Sequence, residues 1–365
     1  MALLHPEQDI RGTYEVEKFL GEGAFAEVYR VKHRFLGRQA MKVFKRTGIT
    51  LEKIEEMLGE AIMLSKIGHP NIIRVFDANI VETDKGLCGF FTMEYVPGGS
   101  LDKFWHSFGD EFVPVETTVD IIKQVCRGIS LAQKENPPVI HRDIKPQNIL
   151  VGYQTEGLRA RVSDFGLAKS VNPLTLLATA AGTLAFKPPE AFSEEKGDSA
   201  AGDVWAIGVT LYLLLTDQLP FKVSGEWGFE TRSVFNDDII PASKFNPDVN
   251  KALDRIIGRA LTNHSNSRIP TATDLLAELD AWKPGKAKSM QNLGGTADAS
   301  KSVLGIMTNA DKESGDNLAK EALSFRKKGH LEDAADRMEE AFNKWPDLRV
   351  KYANQVRLWR CGISM

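Results

Sequence analysis

His141-Arg142-Asp143-Ile144-Lys145-Pro146-Gln147-Asn148 concentrates a carboxylate, two cations and an amide in eight residues, immediately before the apolar run Ile149-Leu150-Val151. Packing does not account for such density, but chemistry does. An aspartate can accept a proton from a hydroxyl nucleophile, and a lysine two residues on can balance phosphate charge. An asparagine five residues beyond that aspartate offers a hard oxygen to a magnesium ion. Sixteen residues after Asn148, Asp164-Phe165-Gly166 follows a second strand-like stretch, Arg161-Val162-Ser163, and supplies another hard ligand at a glycine turn. Either stretch alone reads as a polar turn; the two in this order read as a reactive centre.

Upstream, β-branched and aromatic residues alternate with polar ones from Tyr14 to Phe44, with glycine turns at Gly21-Glu22-Gly23 and Gly37, which predicts three successive antiparallel strands. The first turn, Gly21-Glu22-Gly23-Ala24-Phe25-Ala26-Glu27-Val28, lets backbone amides approach an anion such as a nucleotide phosphate. Taken alone it reads equally well as a plain hairpin. Lys42, inside Ala40-Met41-Lys42-Val43, needs a compensating charge if it is buried. Glu60 can supply one from the helix expected over Leu51 to Ile67; a lysine snorkelling to the surface is the alternative. Strands are expected again at Ile72 to Phe76 and Gly89 to Tyr95. After Pro97-Gly98-Gly99 the pattern turns helical, at Thr117 to Gln133 and at Val204 to Leu215, which is apolar nearly all round.

With these residues in order, the sequence resembles a eukaryotic-type (Hanks-type) serine/threonine protein kinase, of a bacterial kind. The match runs over about residues 11 to 283. It includes the glycine loop, Ala-x-Lys, the helix glutamate, His-Arg-Asp-x-Lys-Pro-x-Asn, Asp-Phe-Gly, Pro188-Pro189-Glu190, Asp203-Val204-Trp205 and a late Arg268. The resemblance implies an α+β, two-lobed fold with ATP in the cleft between lobes. It implies an N-terminal extension over 1–10 and a kinase domain over 11–283, divided into lobes at 11–97 and 98–283. Gly21, Glu22, Gly23 and Ala24 would cover the phosphates, and Lys42 would hold them while paired with Glu60. Asp143 would be the catalytic base, Lys145 would contact the γ-phosphate, and Asn148 and Asp164 would ligate Mg2+, or Mn2+ in its place. Glu94 and Val96 would present hinge backbone to adenine, Met93 would be the gatekeeper, and Val28, Ala40 and Leu150 would sandwich the base. These apolar positions fit an ordinary core equally well. Glu190 and Arg268 would form a buried ion pair, and Asp203 would tether the catalytic loop. Leu64, Val75, His141 and Phe165 fall where the family stacks a regulatory spine.

The chain departs from the family pattern at two places: Ala26 stands where a third loop glycine is usual, and Pro188 stiffens the substrate-facing segment before Glu190. Between Asp164 and Glu190, Thr175 and Thr179 are expected sites of activating autophosphorylation that would pair with Arg142, and Thr183 is expected to contact Asp143 and Lys145. A merely polar, exposed loop is the plain alternative.

Pro284 begins a polar, glycine-containing stretch without apolar period, read as a linker over 284–303. The tail, 304–365, carries apolar residues at helical spacing on both sides of Gly329, so a helical hairpin is expected. From Gly315 to Leu348 it resembles a tetratricopeptide repeat. One such repeat cannot bury its own apolar face, so the tail should pack on the kinase, on a second protomer or on further chain, and a protein partner or self-association through 304–365 is expected.

The composition excludes much else. Hydrophobic residues at 42% and charged ones at 26% rule out disorder, and a formal net charge of -3 forces no attraction to nucleic acid or anionic membrane. Cys88, Cys126 and Cys361 build neither a disulfide framework nor a zinc spacing, which points to a reducing cytoplasm. The N-terminus lacks the features of a secretory signal, and no stretch suffices for a membrane span. The implied activity is phosphoryl transfer from ATP to Ser/Thr hydroxyls of protein substrates. The competing readings are a pseudokinase scaffold that binds partners through its helical tail, and a small-molecule kinase of related fold. Against the scaffold stand Lys42, Glu60, Asp143, Asn148 and Asp164, all present; against the small-molecule enzyme stand the Pro-Glu segment and the Asp-Val-Trp helix.

Overall fold

The structure is a computed structural model that describes residues 2–23, 25–45, 52, 58–59, 67–108, 111–154, 157–165, 185–192, 199–221, 239–285, 309–345 and 347–360. The chain divides into two compact units, Met1–Val96 with Val162–Gly182, and Pro97–Arg161 with Thr183–Met365.

The first unit is a six-stranded antiparallel sheet in the order β1-β2-β3-β4-β6-β5. Its strands are β1 (Asp9–Ile10), β2 (Tyr14–Glu22), β3 (Ala26–His33), β4 (Gly37–Phe44), β5 (Val75–Thr83) and β6 (Gly86–Glu94). The alternation read from Tyr14 to Phe44 thus becomes β2, β3 and β4. Register pairs Val28 with Lys42 and Lys42 with Phe91, and sets Ala40 opposite Met93. Directly opposed residues share a face of the sheet, so Val28, Ala40, Lys42 and Met93 lie together on one side. The other side carries Tyr29, Val31, Met41, Val43 and Phe90 into a core with Leu3, Leu4, Ile10, Tyr14 and Val16.

Two expectations change here. The first ten residues, expected as an extension outside the domain, are part of this sheet unit: Leu3 and Leu4 are 4% and 1% exposed, and β1 pairs with β2. The reason lies on β3. Glu27 and Tyr29 point into the back face and need polar partners, which Leu3 N–H supplies to Glu27 Oε2 at 2.8 Å and Leu4 N–H to the Tyr29 hydroxyl at 3.0 Å. The strand expected over Ile72 to Phe76 begins instead at Val75, because Ile73 N–H and Val162 N–H bond across to Val162 O and Asn71 O. That exchange draws the segment before Asp164 alongside residues 71–73. Most of the helix expected over Leu51 to Ile67, and the linker beyond Gly285, lie outside the described residues.

The second unit is mainly helical: α1 (Leu101–His106), α2 (Val115–Gln133), α3 (Ala200–Thr216), α4 (Lys251–Ala260), α5 (Ala272–Ala281), α6 (Asn309–Lys327), α7 (Leu331–Lys344) and α8 (Asp347–Arg360). It also holds a two-stranded sheet, β7 (Ile149–Gln154) with β8 (Gly157–Val162). Apolar residues surround α3, and Val204–Thr216 are buried on every side, as a central helix requires. Ser199 caps its N-terminus by accepting from Gly202 N–H, and Asp217 ends it in the left-handed region at φ 55°.

The last three helices form their own apolar core from Ala319, Ala322, Ala334, Ala335, Met338, Ala341, Phe342, Val356 and Trp359. Gly315 is required there by close approach, since a Cβ on it would stand 2.5 Å from Trp345 Cβ. The expected hairpin is present as α6 and α7, and α8 adds a third helix.

Candidate active site

Asp143 sits in a loop that ends in a single 3-10 turn, Pro146–Asn148, leading straight into β7. The spacing in sequence becomes contact in space. Lys145 Nζ lies 2.9 Å from Asp143 Oδ2, and Asn148 Nδ2 donates to that oxygen at 2.9 Å and to Asp143 O at 2.7 Å. Committing the Asn148 amide nitrogen to Asp143 leaves its carbonyl oxygen as the end that can ligate a metal ion.

The loop is anchored from below by Asp203 on α3, which is 1% exposed. Its carboxylate accepts Arg142 N–H at 2.9 Å and His141 N–H at 3.0 Å, and Gln133 Nε2 donates to it at 3.2 Å. Burial pushes its pKa up, while His141 and these donors pull it down. Arg142 is held at φ 69°, a left-handed conformation unusual for a non-glycine residue, and Lys187 Nζ donates to its carbonyl at 2.6 Å. Asp143 N–H donates to His141 Nδ1 at 3.2 Å, and His141 is fully buried.

Glu190 and Arg268 meet as a bidentate pair, Nη1 to Oε1 at 2.7 Å and Nη2 to Oε2 at 2.9 Å. The remaining guanidinium hydrogens go to Ala201 O, Asn263 O and Thr262 O, so each donor is used. The guanidinium also lies over the ring of the buried Trp205, 4.9 Å from its centroid.

In the first unit, Lys42 projects from β4 and its Nζ stands 2.7 Å from Asp164 Oδ1, with side-chain exposures of 11% and 25%. That oxygen accepts no aligned hydrogen bond among the described residues, so it meets Lys42 as an ion pair only. Asp164, like Arg142, is left-handed, at φ 61°. Strain of this kind collects where a site over-determines its backbone. In the same sheet, Gly21 and Glu22 end β2, Gly23 N–H bonds Ala26 O at 2.8 Å, and Lys45 pairs with Glu22 and donates to Gly23 O at 2.7 Å. Glu94 N–H donates to Arg74 O at 2.8 Å, and Met93 and Val96 are buried. Val75 and Phe165 are buried as well. Leu150 lies on β7 in the second unit, bridged to Ser100.

Ala24, Glu60, Leu64, Thr175, Thr179 and Thr183 lie outside the described residues. Sequence reasoning did not single out Gln133, which links Asp203 to Ala272 N–H, nor Glu27 and Lys187. Glu27 carried a usable signal, being a carboxylate at the same strand alternation as the apolar Tyr29 and Val31. Gln133 and Lys187 carried none, because their partners are distant in sequence.

Asn148 in the second unit offers an oriented carboxamide oxygen and Asp164 in the first an unaligned carboxylate oxygen, each of the hard kind a divalent metal ion takes, and no cluster of three or more His, Cys, Asp or Glu among the described residues would hold a metal unaided. A family model described as the protein kinase domain matches residues 14–279. The chain belongs to the protein kinase family. This kinase is 33% identical over 211 residues to the serine/threonine-protein kinase ATG1b of Arabidopsis thaliana, covering 58% of the chain and 28% of that relative. It is 28% identical over 286 residues to the serine/threonine-protein kinase PknB of Mycolicibacterium smegmatis, covering 77% of the chain and 44% of the relative. The kinase thus spans less than half the length of these curated relatives. In structure it resembles the Mycobacterium tuberculosis PknI kinase domain, with a TM-score of 0.57, 23% identity, and coverage of 76% of this chain and 99% of that one. That likeness shows the protein kinase fold, strand-rich before residue 97 and helical after. Members of the family use ATP and a divalent metal ion.

Proposed function

We propose that the chain transfers the γ-phosphate of ATP to serine or threonine hydroxyls of protein substrates. The observation that carries this reading is the Asp143–Lys145–Asn148 arrangement, a carboxylate held by a cation and a carboxamide on a loop anchored through Asp203. Asp143 takes the hydroxyl proton as the substrate oxygen bonds to the γ-phosphorus and the bond to the β-phosphate oxygen breaks, releasing ADP. Lys145, 2.9 Å from that carboxylate, offsets charge on the transferred group. Lys42 binds the α- and β-phosphates, and its ion pair with Asp164 keeps both side chains in place before nucleotide arrives. Asn148 and Asp164 would hold Mg2+, or Mn2+ in its place, and the bound ion would supply neutralisation of phosphate charge. Glu60 joins Lys42, Gly21 to Ala24 cover the phosphates, and Met93, Glu94, Val96, Val28, Ala40 and Leu150 form the adenine pocket.

Regulation by autophosphorylation at Thr175 or Thr179, and substrate positioning by Thr183, complete the reading, as does a protein partner or second copy at residues 304–365. The domain limits proposed are a kinase unit to 283, a linker over 284–303 and the tail beyond. The free, buried thiols of Cys88 and Cys126 support action in a reducing cytoplasm. Among the described residues no helix is long and apolar enough to cross a membrane.

The test is phosphate transfer from labelled ATP with Mg2+, wild type beside Asp143→Asn, followed by mapping of the modified residues. Transfer by the wild type alone, onto Ser or Thr, supports the reading. Equal inactivity of both proteins with nucleotide still bound would favour the scaffold alternative.

A further inference from the structure

The tail's apolar core is not closed by the tail alone. Tyr153, on β7 of the kinase, packs against it, as do Leu318, Leu348 and Tyr352 of the tail. Arg349 of α8 lies over the Tyr153 ring, its guanidinium carbon 5.2 Å from the centroid. A second contact stands beside the first. A Cβ on Gly98 would meet Val151 O at 2.1 Å and Asn343 Nδ2 of α7 at 3.0 Å, so the tail also sits against the backbone at the start of the second unit. A lone two-stranded sheet such as β7–β8 is marginal without packing on one face. Along β7, side chains alternate, so Tyr153 shares a face with Ile149 and Val151, while Leu150 lies on the other. Val151 N–H bonds Gly99 O at 2.9 Å, and the strand begins directly after Asn148.

We propose that Tyr153 and Arg349 are positioning residues for nucleotide binding: the tail braces β7 from behind and thereby fixes Leu150 and Asn148 in front. The inference rests on the kinase reading above, in which Leu150 touches adenine and Asn148 holds the metal ion. Neither Tyr153 nor Arg349 touches the nucleotide; both act through the strand. The kind of contact sets the pattern of substitutions that should matter. A phenylalanine at 153 keeps the aromatic face and a lysine at 349 keeps the cation, whereas alanine at either position removes the contact.

The experiment uses the full chain and two readouts, the dissociation constant for a non-hydrolysable ATP analogue with Mg2+ by calorimetry, and kcat with KM for ATP. Arg349→Ala and Tyr153→Ala are expected to raise the dissociation constant and KM about three- to tenfold, the span of a lost cation–π contact, with kcat within about twofold. Arg349→Lys and Tyr153→Phe are expected to stay near wild type. Circular dichroism melting is read alongside. Unchanged nucleotide affinity in the alanine variants would overturn the proposal, whether the tail stays folded or melts. So would a fall in kcat at constant affinity. A wild-type chain that binds the analogue yet transfers no phosphate would sink the kinase reading while the affinity comparison still decides the role of the tail.

Discussion

As the proposed base, Asp143 faces two demands, to take a proton and to be constrained enough to aim at one hydroxyl. Lys145 and Asn148 serve the second, since each fixes Oδ2. Replacing Asp143 with Asn keeps the shape but removes the base, and we expect kcat to fall by roughly 100- to 10,000-fold, the usual worth of a positioned general base, while ATP affinity changes little. Steady-state kinetics with calorimetric binding checks this; a loss confined to KM would contradict the assignment. These three residues were legible because they stand within five positions of one another, so their meeting is local. Asp203 and the pair of Glu190 with Arg268 bridge separations of 62 and 78 residues, which no spacing rule encodes. Those roles came from resemblance to a family.

Single elements show where local pattern stops. The strands β2, β3 and β4 follow from alternation between glycine turns, since each half-buried face imposes a period of two. The displaced start of β5 does not, because Ile72 and Ile73 are as apolar as any strand residue, and only the chain near Val162 decides what they bond. Leu3 and Leu4 carry no periodic signal at all, and their place is set by Glu27 and Tyr29. The short turn Pro189–Phe192 is fixed to α3 and the stretch before Ile269 through Arg268. Arg268→Ala leaves the Glu190 carboxylate without its cation, so we expect a stability loss of about 3–5 kcal/mol, the cost of breaking a buried pair. Urea denaturation of the second unit measures it, and a loss under about 1 kcal/mol, the level of an exposed pair, would contradict the geometry.

Across the whole molecule, the two units carry separate titratable and reactive reporters. Burial pushes the phenols of Tyr14 and Tyr29 in the first unit, and of Tyr212 in the second, up to about 12 from 10.0. Between those values the unfolded chain has lost these protons and the folded chain has kept them. Stability contributed below pH 10 is therefore lost as pH rises toward 12. Burial raises the phenol of Tyr153 in the second unit as well, so each unit carries two such groups and both are expected to lose stability over this range; a pH titration followed by circular dichroism reads it. The thiols behave alike: burial raises both Cys88 and Cys126, each 0% exposed, so both should resist alkylation until their own unit opens. Mass spectrometry after a timed pulse of iodoacetamide at rising urea distinguishes the two openings, and rapid labelling of either thiol without denaturant would contradict the packing.

The placement of Trp205 beneath the Arg268 guanidinium has an optical consequence. All six tryptophans fall in the second unit, at 105, 205, 227, 282, 345 and 359, and none in the first. Indole emission from this protein therefore watches only the half that carries Asp143, and the half that carries Lys42 has tyrosine and phenylalanine as its ultraviolet reporters.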